Sequence, residues 1–522
     1  MKLSLRAGIA TTSIALLLSG CGDAPERDAS ASNSLETTIK LADDINKDAH
    51  FSWAYTQYTT SWDPTKSVGG GDMSFYYPVY DRLLQLAPDA TVEPMLAEDF
   101  SAEGNTVTLK LQEGLKFSDG TPLDAEAVKF NLERGAAQGS TLVAEVAQLK
   151  SVEVVDDLTV KVTVSSGLGA YLTALTARGG IMISPAAVQS GAIQSGPVGI
   201  GPYLATAMAA GDRVEYKKTP DYWEPSAQNV STMTYRLMLD DQTRYNALLS
   251  GEVDGAYLNP NQINAATKAD MQVVSEPSTS FVYFMVNPTQ SPFDDPKVRL
   301  ALNHAVDRAG IAEGLYSGHC SAGIQPWPTS SPAYSEKIGD GLDIWPHDPE
   351  KAKDLLAEAG YPDGFEFTAL TTNITQYQNL SEAIQEQLAE VGIDMTIDPV
   401  PTPQVIEKFV VNQEVAGNIN PYTGLADPHG VIARSFLAGG TYGFGGQLPD
   451  STVALVNEAA GPVDPKERRP LYEQVMQEMI DTPTHMLSLC QVHLTSAFSA
   501  KVSNVVQHYS GVPTLRGVAV SD

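Results

Sequence analysis

The sequence predicts a protein of mixed strands and helices with more than one domain, and three observations support this prediction. The chain has 522 residues, which is too long for a single hydrophobic core. Hydrophobic residues make up 43% of the chain and charged residues 18%, as in ordinary soluble globular proteins. Strand-like segments alternate with segments of helical spacing, as between Phe281 and Arg308. These features favour a soluble protein built from mixed strands and helices.

The charge balance excludes two classes of partner. The chain carries 33 basic and 63 acidic residues, for a formal net charge of −30. Binding to nucleic acid or to anionic lipid through charge requires a basic face. We therefore expect no nucleic-acid partner, and we interpret the acidity as a device that keeps an exported protein soluble.

The first twenty residues have the features of an export signal. Lys2 and Arg6 form a short positive region. The apolar run at 7–18 follows and is too short to be a good membrane span. We therefore expect residues 1–20 to be a signal peptide that is absent from the mature protein.

The run Leu18-Ser19-Gly20-Cys21 ends this segment and resembles the lipobox of bacterial lipoproteins. The resemblance implies cleavage before Cys21 and attachment of lipid to its sulfur. Two or more acyl chains are sufficient for stable anchoring to a membrane. The following residues, 21–36, are rich in Ala, Ser, Asp and Asn, and this composition predicts a flexible tether.

In the N-terminal half, local patterns predict several elements. Apolar residues alternate with polar ones over 106–111, which predicts a strand with one exposed face. Asp124 is placed to cap a following helix, and residues 152–155 and 158–164 predict a pair of strands. Residues 76–84 predict a helix with an inward aromatic side.

In the C-terminal half, three helices are predicted to begin at an Asp-Pro pair. Asp can cap the free N–H groups of the first turn, and Pro has no donor to lose at the first helical position. These pairs are Asp295-Pro296, Asp348-Pro349 and Asp464-Pro465. Helices are predicted over 351–361 and 383–393, closed by Gly360 and Gly392.

These segments, taken in order, resemble the peptide/nickel-type (family 5) solute-binding proteins of bacterial ABC importers. The resemblance is densest at 92–134 and includes the Pro-Phe-Asp-Asp-Pro turn and helix at 292–308. It also covers Ile200-Gly201-Pro202-Tyr203, the Asp-Tyr-Trp segment at 216–225, and residues 248–254. Each segment alone is weakly specific, but their common order is highly specific.

The resemblance implies a periplasmic-binding-protein-like α/β fold with two hinged lobes and an extra subdomain on the N-terminal lobe. Residues 37–78, 191–277 and 486–522 are expected to form lobe I. Residues 79–190 are expected to form its extra subdomain, and residues 278–485 to form lobe II.

The same resemblance implies a receptor without enzymatic activity. It would bind a small solute in the cleft between the lobes and deliver it to the permease and ATPase subunits of the importer. We expect a monomer without a cofactor, outside the cytoplasm and anchored by lipid to the cell membrane, on its periplasmic face if the cell has an outer membrane.

In peptide-binding members, the segment before an x-Pro pair contacts the ligand, and it corresponds here to 418–428. An Asp four places before the Pro holds the α-amino group there, and a Trp lies three places earlier. This sequence has Gly424 and Pro421 at those positions. Since a buried ammonium needs a counter-charge, a standard dipeptide or oligopeptide is disfavoured. We therefore predict an organic solute bound mainly by aromatic and amide groups, with these candidates: Tyr58, Trp62, Met73, Tyr283, Asn287, Trp327, Asn420 and Tyr422.

Two alternative functions remain open. Asp427-Pro428-His429 resembles the Asp-Pro-His of nickel-type members, which suggests a nickel or metallophore receptor of the same family. A secreted hydrolase is the alternative from a different class, although no Gly-x-Ser-x-Gly, His-Glu-x-x-His or EF-hand loop is present. The histidines are scattered singly, so no metal site is predicted.

Besides Cys21, the chain contains Cys320 and Cys490. No Cys-x-x-Cys occurs, which excludes a zinc ribbon or a thioredoxin-type centre. An oxidising compartment would allow Cys320 and Cys490 to form a disulfide. From the sequence, a disulfide and two buried free thiols are equally acceptable.

Overall fold

The computed structural model describes these residues: 36–67, 70–422, 424–507 and 514–522. The predicted signal peptide, the lipidation site Cys21 and the predicted tether up to residue 35 lie outside these ranges. Among the residues that are described, no helix is both long enough and apolar enough to cross a membrane.

Fifteen α-helices occur in the described ranges. They are α1 Met73–Tyr76, α2 Ala125–Ala136, α3 Val143–Val146, α4 Leu168–Ala174, α5 Pro185–Ser190, α6 Asp241–Leu249, α7 Ile263–Lys268, α8 Pro296–Ala305, α9 Arg308–Tyr316, α10 Pro349–Glu358, α11 Thr375–Glu390, α12 Thr402–Val405, α13 Pro428–Phe436, α14 Asp450–Ala459 and α15 Pro465–Asp481.

The strands in the same ranges are β1 Thr38–Ile39, β2 His50–Tyr55, β3 Leu84–Leu86, β4 Val92–Pro94, β5 Ala97–Glu103, β6 Thr106–Leu111, β7 Leu149–Asp156, β8 Thr159–Val164, β9 Tyr203–Ala209, β10 Arg213–Lys218, β11 Thr232–Leu237, β12 Gly255–Leu258, β13 Gln272–Val286, β14 Cys320–Ala322, β15 Phe365–Thr372, β16 Ile393–Val400, β17 Gly417–Tyr422, β18 Met486–Phe498, β19 Val502–Ser503, β20 Val505–Val506 and β21 Ala519–Val520.

The main sheet has eleven strands in the order β16-β15-β17-β13-β18-β12-β2-β11-β10-β9, with β14 paired to β18. We call β2 and β9–β12 the first half-sheet, and β14–β17 the second half-sheet. The long strands β13 and β18 run through both. Residues 272–277 of β13 pair with residues 493–498 of β18, and residues 281–285 pair with residues 486–491.

The register of this pair shifts between Pro277 and Phe281. Within the shift, the Ser278 hydroxyl donates to the carbonyl of Val492 at 2.8 Å. The interrupted ladder therefore lies where the two half-sheets meet, and β13 and β18 are the strands that join them. This arrangement agrees with the predicted two-lobed α/β fold.

The second half-sheet is covered on both faces because β13 alternates its side chains between two cores. Val282 and Phe284 face a core that also contains residues of α8 to α11. Phe281, Tyr283 and Met285 face a second core, to which α13 to α15 contribute. Strands buried on both faces are expected to be apolar throughout, as this one is from Phe281 to Val286.

A separate four-stranded sheet has the order β5-β6-β8-β7. Its core includes Leu109, Val128 and Leu172, which come from β6, α2 and α4. The alternation at 106–111 does produce a strand with one buried face, and the side chain of Asp124 accepts from the N–H of Ala127 at the start of α2. Both local predictions are confirmed.

The three helix starts at Asp-Pro pairs are also confirmed. The carboxylates of Asp295 and Asp464 accept from the N–H two residues later, and that of Asp348 accepts from the N–H three residues later. Gly360 and Gly392 have φ of +92° and +86°, as a helix end requires.

The helix predicted over 76–84 is wrong, because α1 ends at Tyr76 and β3 begins at Leu84. Pro78 lacks the N–H that a helix interior needs. The backbone after it bonds elsewhere: the N–H of Asp81 donates to Ile200, and that of Leu83 donates to Gly180 at 2.9 Å. These backbone N–H groups are therefore bonded to residues distant in sequence and are not available for a helix.

Cys320 and Cys490 form a disulfide in the structure, with their Cα atoms 5.5 Å apart. The bond lies between β14 and β18, where Ala322 pairs with Cys490 and Cys320 pairs with Val492. Both cysteines belong to the core beside α8 to α11.

Helix α4, beside the smaller sheet, contacts a loop of the C-terminal half. The N–H groups of Gly169 and Ala170 donate to the carbonyls of Gly461 and Ala460, each at 3.0 Å. A Cβ atom on Gly169 would lie 1.9 Å from the carbonyl oxygen of Pro462, closer than such atoms ever approach. The contact therefore requires glycine at position 169.

We expect Gly169→Ala to lower the free energy of unfolding by about 1–3 kcal/mol, because the added methyl group overpacks a backbone contact. Alanine favours a helix over glycine, so helix propensity alone predicts the opposite sign. Gly314→Ala in α9 is the matched control, since nothing lies within 4 Å of its added Cβ. Urea denaturation measures both, and equal effects at the two positions would contradict the prediction.

Candidate functional site

The structure brings together three of the predicted site residues: Tyr283, Asn420 and Tyr422. Pairing of β13 with β17 places Tyr283 opposite Asn420 and Phe281 opposite Tyr422. The rings of Phe281 and Tyr422 stack with centroids 4.8 Å apart, and Tyr283 meets Tyr422 edge-on at 6.1 Å. Tyr442 packs against both tyrosines at 6.4 Å. These rings lie at the end of the second half-sheet nearest the register shift.

Two amides complete this group. Nδ2 of Asn418 donates to the Tyr283 hydroxyl at 3.0 Å, and Nδ2 of Asn420 donates to Oδ1 of Asn418. Oδ1 of Asn420 accepts from the N–H of Thr372 at 2.9 Å. We call Tyr283, Asn418, Asn420, Tyr422 and Tyr442 the tyrosine–amide cluster.

Burial shifts the pKa of two phenols in this cluster, those of Tyr283 and Tyr422. It raises the pKa of Tyr283 well above its ordinary value and the pKa of Tyr422 to about 12, although the nearby Arg434 guanidinium opposes the shift at Tyr422. Both hydroxyls are therefore neutral hydrogen-bonding groups at physiological pH.

Arg434 lies over the cluster, and the sequence predictions missed it. Its guanidinium carbon is 5.3 Å from the ring centroid of Tyr422 and 5.5 Å from that of Tyr442. A signal was present in the sequence, because Arg434 is the single Lys or Arg residue between Lys408 and Lys466. The cluster therefore combines aromatic faces, amides and one positive charge.

Helix α13 carries Arg434, and its start is fixed by Asp427. The carboxylate of Asp427 accepts from the N–H of His429 at 2.8 Å and from both terminal nitrogens of Arg468 at 2.6 and 2.8 Å. Burial would raise the pKa of Asp427, but the Arg468 guanidinium holds it below the ordinary carboxyl value. The carboxylate of the Asp-Pro-His motif thus serves a helix cap and a buried ion pair.

Gly424 lies beside the cluster, where no side chain can fit. A Cβ atom there would be 2.0 Å from Oγ1 and 2.5 Å from the carbonyl carbon of Thr279. The N–H of Gly424 donates to the Ser280 hydroxyl at 3.3 Å. The close approach of the two backbones explains why this position holds glycine.

Tyr58, Trp62 and Met73 lie together in a different place, in the aromatic core beside the first half-sheet. The half-buried ring of Tyr58 packs on Phe75 at 5.2 Å, and the half-buried ring of Trp62 lies 6.3 Å from Tyr76. Met73 is buried in the same core. The two half-buried rings present apolar surface that a solute can contact.

Asp72 holds this region in place, although the sequence predictions did not include it. It is fully buried, and its carboxylate accepts from Nε2 of Gln57 at 3.1 Å and from the hydroxyls of Thr60 and Ser67 at 2.5 and 2.7 Å. These bonds join the loop that carries Tyr58 to the start of α1. The Gly-rich loop ending at Asp72 was the available signal in the sequence.

Asn287 and Trp327 share none of the described hydrogen bonds or ring contacts with the tyrosine–amide cluster, although Trp327 belongs to the same core as Tyr283 and Tyr422. Oδ1 of the fully buried Asn287 accepts from the N–H and hydroxyl of Thr289 at 3.0 and 2.7 Å, which fixes the turn after β13. Trp327 is buried, and its indole N–H donates to Oε1 of Gln325 at 3.3 Å. These contacts fit packing and turn formation, and the ligand-binding role predicted for Asn287 and Trp327 stays a prediction.

Throughout the ranges that the structure describes, no three His, Cys, Asp or Glu residues form a group able to hold a metal ion.

Comparison with known proteins shows the family to which the chain belongs. The profile described as bacterial extracellular solute-binding proteins, family 5 Middle, matches residues 91–437. The chain is 32% identical over 445 residues to a Salmonella typhi protein named glutathione-binding protein GsiB, with 81% of this chain and 85% of the relative covered. It is 35% identical over 347 residues to the protein of the same name from Pectobacterium atrosepticum. That second match spans 65% of this chain and 66% of the relative, slightly less than two thirds.

The fold is also shared with a solved structure. The Helicobacter pylori periplasmic binding protein DppA, in complex with the peptide STSA, superposes with a TM-score of 0.78 at 23% identity, covering 92% of this chain and 99% of DppA. This similarity confirms the predicted periplasmic-binding-protein-like α/β fold. The chain belongs to family 5 of the bacterial extracellular solute-binding proteins.

Proposed function

We propose that this protein is the solute-binding component of a bacterial ABC importer and that it captures a small peptide-like solute for delivery to the permease and ATPase subunits. The observation that carries the proposal is the tyrosine–amide cluster with Arg434, located where the two half-sheets meet. Family membership and the glutathione-binding relatives support a peptide-like solute.

The side chains of the cluster are 0–7% exposed, so a solute contacts them only when the lobes are more open than in this structure. Aromatic faces contribute apolar area at low entropic cost, and amides satisfy the backbone of a peptide-like molecule. Of the predicted residues, Tyr283, Asn420 and Tyr422 supply one wall of the site, and Tyr58, Trp62 and Met73 supply the other. Asn287 and Trp327 support the fold around it.

The lobes have the limits that the family resemblance implies: 37–78, 191–277 and 486–522 for lobe I, 79–190 for its extra subdomain and 278–485 for lobe II. The crossing strands β13 and β18 act as the hinge, with the register shift after Pro277 as its most adaptable point. The solute stabilises the closed form only to the extent that it binds that form more tightly.

The mature protein begins at Cys21, which carries the lipid that anchors it to the outer face of the cell membrane. Residues 21–36 tether the folded part, which acts as a monomer and without a cofactor. Globomycin, an inhibitor of lipoprotein signal peptidase, and mass spectrometry of the N-terminal peptide test this arrangement. A mature N-terminus without lipid would contradict it.

Calorimetry and intrinsic fluorescence of the purified protein test the solute class. We expect 1:1 binding of glutathione or a related small peptide at micromolar or lower Kd, with a fluorescence change from the half-buried Trp62. Tyr58→Ala should weaken binding by about tenfold, through loss of one aromatic contact. Tyr361→Ala is the control and should leave the affinity unchanged. Tyr361 is also half-buried, but it packs against the core beside α8 to α11.

Two other results would contradict the proposal, and a third would contradict the argument from Gly424. Binding of nickel with histidine, but of no peptide, would favour the metallophore alternative. Turnover of a peptide or an ester would identify a hydrolase. Tight binding of many ordinary dipeptides would refute the argument from Gly424.

A further inference from the structure

Arg434 is unusual among the arginines in the described part of the chain. In the ranges that the structure describes, the side chains of all arginines except Arg82 and Arg434 donate hydrogen bonds. The guanidinium groups of Arg82 and Arg434 have neither a hydrogen bond nor an ion pair in those ranges. Arg82 is 8% exposed and lies over the ring of Tyr77 at 4.8 Å. Arg434 remains half-buried. In a chain with 63 acidic and 33 basic residues, an unpaired and accessible arginine needs an explanation.

The position of Arg434 is well defined even without a partner. The rings of Tyr422 and Tyr442 contact its guanidinium at 5.3 and 5.5 Å. The neighbouring Ser435 donates to the Tyr422 hydroxyl at 3.2 Å, which locks the helix onto the cluster. Aromatic contact leaves the N–H groups at the edge of the guanidinium plane unused, and this planar fork matches a carboxylate.

The segment at 418–428, which contains Gly424, offers no free carboxylate for an ammonium. Gly424 cannot carry a side chain because Thr279 lies against it. The nearest carboxylate along the chain, that of Asp427, is bound by Arg468 through two hydrogen bonds. Oγ1 of Thr279, which is 5% exposed and faces Gly424, has no partner in the structure. It is a neutral group and provides no counter-charge.

We propose that Arg434 binds a carboxylate of the solute and so makes the site selective for peptide-like molecules with a free carboxylate on this side. The inference rests on the proposed function. In this site the charged contact is made to the carboxylate of the solute. A site with an acidic residue at position 424 would instead bind the ammonium of the solute. Peptides with a carboxylate beyond the usual terminal one, such as γ-glutamyl peptides, suit this arrangement.

The test compares glutathione with its diethyl ester, in which both carboxylates are neutral. Wild-type protein is expected to prefer the free acid by about 10- to 100-fold, as for a hydrogen bond to a charged group. Arg434→Gln should remove most of this preference by weakening binding of the acid and sparing the ester. Arg434→Lys keeps the positive charge but lacks the planar guanidinium, and it should give an intermediate preference for the free acid.

Arg469→Gln is the control, because it removes the same charge from an exposed pair with Glu336. Thermal unfolding shows that each variant is folded. An unchanged acid-to-ester preference in Arg434→Gln would overturn the inference and leave the proposed function intact. Failure of wild-type protein to bind either compound would overturn both.

The ammonium is tested separately with N-acetylglutathione. Because the 418–428 segment has no free carboxylate, acetylation should change the affinity by less than about threefold. A loss of more than about tenfold on acetylation would show that the solute's ammonium has a counter-charge, and would overturn the stated selectivity.

Discussion

Replacing Asp427 by asparagine should lower the free energy of unfolding by about 3–5 kcal/mol, the cost of leaving a buried charge without its partner. The side chain of Arg468 is 3% exposed and that of Asp427 is 11% exposed. Arg468 would keep its bonds to the carbonyl of Ala459 and the hydroxyl of Tyr472, but would lose its counter-charge. Asparagine can still cap α13, so the loss of stability reports the ion pair and not the helix cap. Guanidinium denaturation followed by circular dichroism measures the loss.

The control is Glu350→Gln, which breaks an ion pair with Lys353 in which the side chains are 83% and 46% exposed. We expect a loss of less than about 1 kcal/mol there, because water screens the pair. Similar losses at the two sites would refute the assignment of a large effect to burial. Since the pKa of Asp427 is lowered in the folded state, its contribution is present above the ordinary carboxyl pKa and is lost as pH falls through the folded-state value.

The double variant Cys320→Ala/Cys490→Ala should lose about 2–5 kcal/mol of unfolding free energy. The bond joins residues 170 positions apart, so it removes many conformations from the unfolded chain. Loop-closure entropy alone predicts about 5 kcal/mol for a loop of this length, and native packing modifies that figure. Alanine avoids the unpaired buried hydroxyl that serine would leave.

Reduction provides the matching measurement for the disulfide. Dithiothreitol should destabilise the wild-type protein by about as much as the double substitution does, and should leave the double variant unchanged. A double variant as stable as the wild type, together with no effect of the reductant, would contradict the prediction.

Local structure was predictable where a side chain forms a hydrogen bond with the backbone of a residue close to it in sequence. At Asp295, Asp348 and Asp464, a carboxylate caps an N–H two or three residues later, so the helix start can be read from a short stretch. The same local rules did not detect that the segment after Pro78 would pair with Ile200 and Gly180. Aromatic spacing resembled a helix there, and non-local hydrogen bonding overrode it.

The candidate site was predictable only in part. The residue types of Tyr283, Asn420 and Tyr422 suggested an aromatic and amide site, but their proximity depends on the register of β13 with β17. Asn418 and Tyr283, whose side chains share a hydrogen bond, are 135 residues apart. Asn287 and Trp327 carry the same kinds of side chain, and packing directs them elsewhere.

The sequence by itself determined the family, the order of its segments and the helix starts, because each of these depends on residues close together in the chain. Only the tertiary structure decided that Arg434 lies unpaired over two tyrosines and that Gly424 has no room for an acidic side chain. The physical reason is that both properties belong to contacts between strands and helices that are distant in sequence.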